Sequence, residues 1–578
     1  MKTRIVLLAI NSKYIHSSLA VWLIAAGIEK HARIPYEVSI LEATIHQTCN
    51  VIADNVSAFK PDIIGVSAYI WNARILPGLL AGLRGRLPEA RIVLGGPEAE
   101  HNIGYWIEQG ADCVLPGEGE LTFPAYLNSL SCAGGPGNLS SSLYAPPEQS
   151  PQPGHTPQKP SPQPEHTQPE LSPQPEYTQP ELSPQPERSP PESALQTAYL
   201  ASLKGRIAYL ETSRGCPFAC AYCLSAGTGV RYFPMESVKP QILRLSRSEA
   251  KTVKLTDRTF NSDAVRAKEI FEYVISLSTS ACFHFEVAAD LFDEQALSLL
   301  GTAPPGRIQL EAGLQSFCEP ALNAVSRKTN LKKAERKIKA LLRNGNIHVH
   351  IDLIAGLPYE TLEYFKLGFD RAYALKAHTL QLGFLKLLHG SVLRADAGNL
   401  GLQYDLEAPY EIQSTPWLTV QDIQTLKHTE NALQNTRNKS RFLQTLDYTI
   451  SASGMSPFSF FRALGEAAPH SGASLTDYAV RIFGFCAALP GICKNELKDK
   501  IACDWLAMVK GKNKPPFLKT PDGRHKQIMK LAEQRLGHEV RREEVSILST
   551  GAAVYADSQT RNPVTGLYKT HMLFPPPP

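Results

Sequence analysis

Three cysteines, Cys216, Cys220 and Cys223, lie within eight residues of the chain. Thiolates are soft ligands that suit iron and zinc, and a C-x3-C-x2-C triplet on one loop can surround a single metal centre. Three thiolates leave a four-iron cube one ligand short, so one iron would be open to a small molecule. The spacing alone also leaves open half of a structural zinc site, completed by a Cys or His elsewhere.

The composition describes a multidomain chain. Its 578 residues are 43% hydrophobic and 20% charged, enough for two or three cores. The net charge of +4 does not indicate a nucleic-acid partner. No apolar run is long enough to span a bilayer, and eleven cysteines without a secretory signal fit a reducing compartment better than a disulfide framework. We therefore expect a cytoplasmic protein.

Residues 1–131 alternate short apolar runs with helical patterns, which predicts a doubly wound parallel sheet of the α/β class. Ligands of such sheets bind beyond the carboxyl ends of the strands. Small or polar residues follow three predicted strands, and they are Ser67, Gly95, Gly96, Gly117, Glu118 and Gly119. Glycines there would let a large planar ligand approach the backbone, although each glycine on its own is also explained by a tight turn.

Residues 132–197 change abruptly to Pro, Gln, Glu, Ser and Thr. The unit Ser161-Pro162-Gln163-Pro164-Glu165 recurs at Ser172 and Ser183, so eleven residues repeat. So many prolines block helices and sheets, and few apolar residues remain to offset chain entropy. The segment is predicted to be a disordered linker.

Residues 198–395 contain six predicted strands with intervening helices, which indicates an incomplete (β/α)6 barrel with its reactive centre at the carboxyl ends of the strands. Glu286, Glu311, Gln315 and Asp352 lie on these apolar strands. Buried carboxylates need partners, so they indicate either a polar ligand or an internal salt-bridge network. Candidate cations for such a network are Arg327, Arg307 and Lys254.

Residues 396–578 are predicted to form a mainly helical domain. Cys486, Cys493 and Cys503 lie here, but their spacing is loose for a second cluster, and thiols in a helical core are the favoured interpretation.

The cysteine triplet, with the aromatic Tyr222 before its last member, resembles the signature of the radical S-adenosylmethionine (SAM) superfamily. The strand motifs around Glu286, Gln315 and Asp352 resemble the oxygen-independent coproporphyrinogen oxidase branch. With the glycine turns upstream, the three parts together resemble the B12-binding radical SAM protein family, followed by an uncharacterised helical domain.

This resemblance implies the cofactors and their contacts. Cys216, Cys220 and Cys223 would hold a [4Fe-4S] cluster whose free iron is chelated by SAM. SAM would be contacted by Tyr222, through its backbone carbonyl, and by Glu286, Gln315, Arg327 and Asp352. Cobalamin (B12) would be lined by Ser67, Gly95, Gly96, Gly117, Glu118 and Gly119. An external one-electron reductant such as flavodoxin or ferredoxin is also implied.

One motif departs from the cobalamin domains that ligate cobalt through D-x-H-x-x-G. Beside His16, Tyr14 stands at the acid position and Leu19 at the glycine position. Without a carboxylate to orient the imidazole, we expect no bond from His16 to cobalt. Tyr69 or Trp71, just beyond the third strand, is a candidate to cover the lower face of the corrin.

The resemblance implies a cobalamin-dependent radical SAM methyltransferase that methylates an unactivated carbon through a 5'-deoxyadenosyl radical. Two alternatives stay open: a non-methylating oxidation or rearrangement that uses cobalamin, and a sensor of B12 or of the iron-sulfur cluster. The substrate could be a small molecule, a lipid or a peptide.

Overall fold

The computed structural model describes residues 2–132, 194–469, 472–510, 514–519 and 524–573. The predicted Pro-rich linker lies almost wholly outside these residues. Within them, no helix combines the length and the apolar character needed to cross a bilayer.

The N-terminal region is a five-stranded parallel sheet with helices, as predicted. The strands run in the order β2-β1-β3-β4-β5. Every residue of the central strand β3 is buried, which is why its sequence is a continuous apolar run rather than an alternating one. The elements are β1 (Thr3–Asn11), α1 (Leu19–His31), β2 (Tyr36–Thr44), α2 (Cys49–Ser57), β3 (Ile63–Ser67), α3 (Leu76–Arg86), β4 (Arg91–Gly95), α4 (Pro97–Glu100), α5 (Ile103–Glu108), β5 (Cys113–Leu115) and α6 (Gly119–Cys132).

Close packing between α1 and α6 fixes the turn that follows β5. A Cβ atom on Gly27 of α1 would lie 2.1 Å from the carbonyl oxygen of Glu120, so only glycine lets the helices approach this closely. A Cβ atom on Gly119 would lie 3.0 Å from the side chain of Ile24. The backbone at 119 and 120 is therefore held against α1.

The middle region is a six-stranded parallel sheet in the order β13-β12-β11-β10-β9-β6, the predicted incomplete barrel. A two-stranded antiparallel hairpin, β7–β8, stands beside it. The elements are α7 (Ala194–Ser202), β6 (Ile207–Leu210), β7 (Ser213–Cys216), β8 (Gly229–Tyr232), α8 (Met235–Ser246), β9 (Thr252–Leu255), α9 (Ala264–Ser276), β10 (Cys282–Val287), α10 (Glu294–Gly301), β11 (Ile308–Gln315), α11 (Glu319–Ala324), α12 (Leu331–Leu342), β12 (His348–Ala355), α13 (Leu362–Ala374) and β13 (Thr379–Phe384).

The C-terminal region is mainly helical, as predicted, but it ends in a three-stranded antiparallel sheet, β16-β17-β18, that the sequence did not indicate. The buried side chains of its helices α15–α19 join the apolar core of the barrel, whereas α20 and much of the final sheet form a separate apolar cluster. The elements are α14 (Val392–Ala395), β14 (Gln403–Tyr404), β15 (Ile412–Ser414), α15 (Val420–Asn435), α16 (Leu443–Ser453), α17 (Pro457–Ala467), α18 (Leu475–Ala487), α19 (Lys494–Met508), α20 (His525–Leu536), β16 (Val545–Ile547), β17 (Ala553–Arg561) and β18 (Tyr568–Leu573).

Other parts of the chain cover both edges of the barrel sheet. At β13, the Asn438 amide accepts from Leu380 N at 3.0 Å and donates to Leu380 O at 2.9 Å. At β6, Ile207 N donates to Ile15 O at 2.8 Å, from the loop that follows β1. Covered edges cannot recruit further strands, and the second contact docks the N-terminal region onto the barrel.

Candidate active site

The cysteine loop grows out of the hairpin β7–β8. Cys216 ends β7 and pairs with Gly229 at the start of β8. Gly215 has φ of +98°, and a Cβ atom there would lie 1.8 Å from Gly229 O, so the base of the hairpin accepts only glycine. Cys216 and Cys220 are buried, with 7% and 5% exposed, and Cys223 is partly exposed.

Three neighbouring elements fasten this loop. Asp257, just beyond β9, accepts from Thr212 N at 3.0 Å, from Thr212 Oγ1 at 2.7 Å and from Ser213 Oγ at 2.5 Å. In the loop itself, Ala221 N donates to Val325 O at 2.9 Å, and Leu393 N donates to Ala221 O at 2.8 Å. Asp257 therefore anchors the approach to the cysteines.

The surroundings of the thiols fit a metal cluster. The cysteines of the described residues are all free. Burial raises the pKa of Cys223, which disfavours a bare thiolate unless a metal compensates its charge. In the described part of the chain, one group of three side chains brings possible metal-ligand atoms within 4.8 Å of one another, and it consists of Glu311, His350 and Asp352. The three cysteines do not form such a group. The thiols are thus spread too widely for a single tetrahedral zinc ion, which favours a larger cluster.

Arg327 and Thr259 contact the thiols directly. Arg327 Nη1 donates to Cys220 Sγ at 3.7 Å and Nη2 donates to Gly313 O at 2.7 Å. Thr259 Oγ1 lies 3.6 Å from Cys216 Sγ. Burial opposes the charge of Arg327, but Tyr222 and Cys220 raise the pKa of the guanidinium, so it stays positive beside the thiols.

Gln315 and Arg327 leave polar atoms that fit a ligand such as SAM. Gln315 Oε1 and Arg327 Nε are buried and have no hydrogen-bond partner among the described residues. Gln315 also has φ of +69°, a left-handed conformation that non-glycine residues rarely adopt outside functional sites. Buried polar atoms without partners are costly, so a polar ligand would satisfy them.

The carboxylates of the barrel have internal partners instead. Lys254 Nζ lies 3.0 Å from Glu286 Oε1 and 3.2 Å from Glu311 Oε2. His350 Nε2 lies 3.0 Å from Asp352 Oδ1. These two atoms approach each other but make no hydrogen bond among the described residues. The salt-bridge alternative therefore describes Glu286, and the contacts of Glu286 and Asp352 with SAM stay predictions.

Arg307, the other cation considered, takes no part in this network, because it donates to backbone carbonyls of Val274 and Leu277.

The carboxyl edge of the N-terminal sheet brings together the predicted corrin contacts. Ser67 and Gly95 are paired across β3 and β4. Gly96 has φ of +106°, and a Cβ atom there would lie 2.6 Å from Ala68 O, so its backbone packing already requires glycine. Gly117 has φ of +78° with open space beside it. These residues form one edge, where Gly117 makes no close contact that would block the approach of a ligand to its backbone.

Glu118 points toward the cysteine hairpin. Its carboxylate pairs with Arg231 at 2.6 Å and with Arg214 at 3.0 Å, both on β7–β8. Burial opposes its charge, but these two arginines lower the pKa of Glu118. We call this edge, with Ser67, Gly95, Gly96 and residues 117–119, the corrin edge. It is therefore in direct contact with the hairpin that carries the cysteine loop.

His16, in the loop after β1, contacts the barrel. Its Nδ1 lies 2.6 Å from the Tyr209 hydroxyl on the barrel strand β6, and Ser17 Oγ donates to Ile207 O at 2.8 Å. The loop that carries the cobalt ligand in histidine-ligating domains is thus used for docking. The absence of a bond from His16 to cobalt stays a prediction.

An aromatic pair after β3 lies at the same edge, with Trp71 exposed and Tyr69 partly buried. The Tyr69 and Trp71 rings stack with centroids 4.3 Å apart and planes 8° apart. Trp71 is 43% exposed, and its indole Nε1 donates to Ile10 O at 3.0 Å at the end of β1. Both residues remain candidates to cover the corrin.

Sequence reasoning missed three contributors: Asp257, Thr259 and Arg214. The run Asp257-Arg258-Thr259 directly follows a strand, and polar residues at such positions were a usable signal. Arg214 carried no such signal, because its partners lie about a hundred residues upstream.

Comparisons with known proteins agree with this arrangement. Residues 5–127 match the model of the B12 binding domain and residues 210–369 match the Radical SAM superfamily. Residues 398–552 match a model described as a protein of unknown function, DUF4080.

Relatives and solved structures share these parts. The chain is 25% identical over 326 residues to the cobalamin-dependent radical SAM methyltransferase TokK of Streptomyces tokunonensis, covering 54% of this chain and 44% of TokK. It is 26% identical over 408 residues to the cytidylyl-2-hydroxyethylphosphonate methyltransferase of Streptomyces wedmorensis, covering 61% and 72%. The chain thus spans less than half the length of TokK.

The fold resembles the methyltransferase TsrM of Kitasatospora setae, solved with cobalamin and a [4Fe-4S] cluster bound. The TM-score is 0.51 at 17% identity, with 70% of this chain and 77% of that chain covered.

Proposed function

We propose that this B12-binding radical SAM protein is a cobalamin-dependent methyltransferase that adds a methyl group to an unactivated carbon. The observation that carries the proposal is the direct contact between the cysteine hairpin and the corrin edge, where Arg214 and Arg231 pair with Glu118. Two reactive centres that must act on one substrate need this proximity. The methyltransferases among its relatives support the same reaction type.

The residues divide between three groups. Cys216, Cys220 and Cys223 would hold the cluster, and Ser67, Gly95, Gly96, Gly117, Glu118 and Gly119 would line cobalamin. Tyr222, Glu286, Gln315, Arg327 and Asp352 would contact SAM. When bound, the cluster supplies the electron that cleaves SAM, and cobalamin supplies the cobalt that carries the methyl group. The protein's part is to position these groups and exclude water.

Within the cysteine loop, each neighbour has a definite task. The buried surroundings of Cys216 and Cys220 keep water from the thiols. The Arg327 guanidinium, 3.7 Å from Cys220 Sγ, offsets negative thiolate charge. Gln315 and Arg327 offer the polar atoms that remain for SAM.

We extend the proposal to the organisation of the chain. Residues 1–131 would bind cobalamin, 132–197 would link the domains, 198–395 would form the radical SAM core and 396–578 the helical domain. The free thiols of the described residues fit a cytoplasmic location. A reductant such as flavodoxin or ferredoxin would supply electrons, and the substrate is a small molecule, lipid or peptide.

Anaerobic reconstitution tests this function. The chain is loaded with iron, sulfide and cobalamin, then given SAM and a reductant, and metal content and nucleoside products are measured. We expect about four irons per chain, and both 5'-deoxyadenosine and S-adenosylhomocysteine, the latter in no more than the amount of bound cobalamin until a substrate accepts the methyl group. Deoxyadenosine alone would favour a non-methylating reaction, and bound zinc without iron would overturn the proposal.

Substitutions at two buried cysteines, Cys220 and Cys318, provide a test of metal ligation and its matched control. Cys220→Ala should remove the cluster and reduce deoxyadenosine formation below detection, because it deletes a metal ligand. Cys318 is also buried in the barrel, with 4% exposed, but lies outside the triplet. Cys318→Ala should keep its iron and its activity. Equal loss in both variants would show that folding, rather than ligation, is affected.

A further inference from the structure

Arg214 is the centre of a charged network that crosses between two regions of the chain. Its guanidinium lies 2.8 Å from Glu120 Oε1 and 3.0 Å from Glu118 Oε2, both in the N-terminal region. On its own side, Arg214 Nε donates to Glu211 Oε1 at 2.9 Å and Nη2 donates to Glu211 Oε2 at 2.5 Å. One arginine thus binds three carboxylates.

The two ends of this network belong to the two candidate cofactor sites. Arg214 stands two residues before Cys216 on β7. Glu118 and Glu120 flank Gly119, in the turn after β5 that is predicted to line cobalamin. The network therefore connects the cysteine hairpin to this edge directly through side chains.

Both ends are rigid, so the contact fixes a geometry. Gly215 allows no Cβ atom against Gly229 O, which holds Arg214 on a tight hairpin. On the other side, Gly117 N donates to Glu100 Oε2 at 2.9 Å. About three quarters of each of the Arg214, Glu118 and Glu120 side chains are shielded from solvent, with 26%, 28% and 26% exposed. A planar guanidinium between shielded carboxylates constrains orientation as well as distance.

A second arginine reinforces the contact. Arg231 on β8 pairs with Glu118 at 2.6 Å, and both Arg231 and Arg214 lie over the Phe233 ring, 5.7 and 6.0 Å from its centroid. Glu118 is thereby held from both strands of the hairpin.

We propose that Arg214 is a positioning residue that fixes the corrin-binding turn relative to the cysteine loop, and so sets the separation between cobalt and bound SAM. The inference rests on the proposed function, because it concerns the same two cofactors. Arg214 itself would touch neither of them.

Two reactions of SAM separate this role from a general structural one. Cleavage to 5'-deoxyadenosine needs SAM and the cluster, which the barrel holds. Transfer of the methyl group to cobalt, which leaves S-adenosylhomocysteine, needs both domains in register. Loss of Arg214 should therefore impair the second reaction far more than the first.

The test compares Arg214→Gln with the wild type after anaerobic reconstitution. In Arg214→Gln we expect iron content and deoxyadenosine formation within about twofold of wild type. Formation of adenosylhomocysteine should fall roughly 100-fold, the cost of a displacement on the order of 1 Å in a reacting pair. Arg214→Lys keeps the charge without the planar fork, and should recover part of the loss.

A control is another ion pair of the N-terminal region, which joins it to the C-terminal region rather than to the barrel. Arg74 Nε lies 3.6 Å from Glu407 Oε2, and both side chains are well exposed, 77% and 73%. Arg74→Gln should leave both products unchanged, because exposed pairs contribute little. A similar fall in adenosylhomocysteine in this control would show that the loss of any ion pair of the N-terminal region suffices, and would overturn the special role of Arg214.

A second readout does not depend on turnover. In protein loaded with a reduced cluster and cob(II)alamin, electron paramagnetic resonance reports the magnetic coupling of the two centres, which depends on their distance. Arg214→Gln should weaken or broaden this coupling, and Arg74→Gln should not. Unchanged coupling and unchanged adenosylhomocysteine in Arg214→Gln would contradict the inference.

The proposed function and the positioning role of Arg214 can be disproved separately. If the wild type makes no adenosylhomocysteine, the methyltransferase proposal fails, while the coupling measurement still tests the position of Arg214. If the wild type makes it and Arg214→Gln makes as much, only the positioning role fails.

Discussion

The two parallel sheets of this protein have similar strand-and-helix connections and opposite ways of presenting a site. In the N-terminal sheet, β3 is buried at every residue, so its faces carry only apolar packing. In the barrel sheet, β12 alternates between buried and partly buried residues, and its inner face carries His350 and Asp352. One sheet keeps its chemistry at its edge, and the other keeps it on a face.

The difference follows from what covers each sheet. Helices on both sides of the N-terminal sheet leave only strand ends for a ligand, and there the backbone itself must approach it, which favours glycine. The open inner face of the barrel admits charged side chains such as Lys254 and Glu311, because they can pair with one another. Backbone shape should therefore dominate substitutions in the first sheet, and charge those in the second.

The largest effect is expected at Gly96. In Gly96→Ala the new Cβ atom would lie 2.6 Å from Ala68 O, and φ of +106° strains any L side chain. We expect the local free energy of opening of β3 and β4 to fall by about 3 kcal/mol. Hydrogen exchange of peptides covering these strands measures it.

Gly117→Ala is the matched control for Gly96, because its φ of +78° is also positive while the space beside it is open. It should cost only the backbone strain, about 1 kcal/mol. Equal losses at both positions would show that the close approach of Ala68 does not matter.

A pH effect is expected at Glu360, in the loop that follows strand β12 of the barrel sheet. Its side chain is 1% exposed, and Ser316 Oγ donates to Oε1 at 2.5 Å. Burial raises the pKa of Glu360 to about 7, although the Ser316 hydroxyl lowers it. The pKa of Glu360 in the folded protein thus lies above its value in the unfolded chain, near 4.3. The free energy of unfolding is therefore highest at low pH, where Glu360 is protonated, and it falls as the pH rises through 7.

Glu360→Gln should remove this dependence, since a neutral amide can still accept from Ser316. We expect equal stability near pH 5, and a variant more stable than wild type by roughly 2 to 3 kcal/mol at pH 8, in urea unfolding. Glu363→Gln, at an exposed carboxylate paired with Lys366, should follow the wild type. Parallel pH profiles for wild type and Glu360→Gln would be the contrary result.

Much of this architecture could be predicted because it depends on local patterns. The apolar run Ile63–Ser67 coincides with β3, and the cysteine triplet lies on one loop as its spacing indicated. The alternation of strands and helices indicated both parallel sheets. Short strands such as Val545–Ile547 escaped, because three residues carry too little periodicity to distinguish a strand from a loop.

Contacts between distant segments could not be predicted from the same patterns. Tyr209 contacts His16, and Arg214 forms ion pairs with Glu118 and Glu120. The sequence around these residues does not indicate which partners they have. For Glu286, the sequence left a ligand and a salt bridge as alternatives, and the structure shows Lys254 at 3.0 Å. A buried charge indicates that a partner is needed, but only the fold shows which residue is close enough to be that partner.

The smallest effect is expected where a side chain, rather than backbone, serves the edge of the first sheet. Trp71 is 43% exposed and stacked on Tyr69, so it offers a flat apolar surface beside the predicted corrin contacts. Trp71→Ala should weaken cobalamin binding by about tenfold, near 1.4 kcal/mol, and change the visible spectrum of the bound cobalamin. Tyr105→Ala, which removes a similarly exposed ring (41%) from α5, should change neither. If Trp71→Ala and Tyr69→Ala both bind cobalamin with the wild-type affinity and spectrum, no aromatic residue covers the corrin there, and the edge of this sheet acts through its backbone alone.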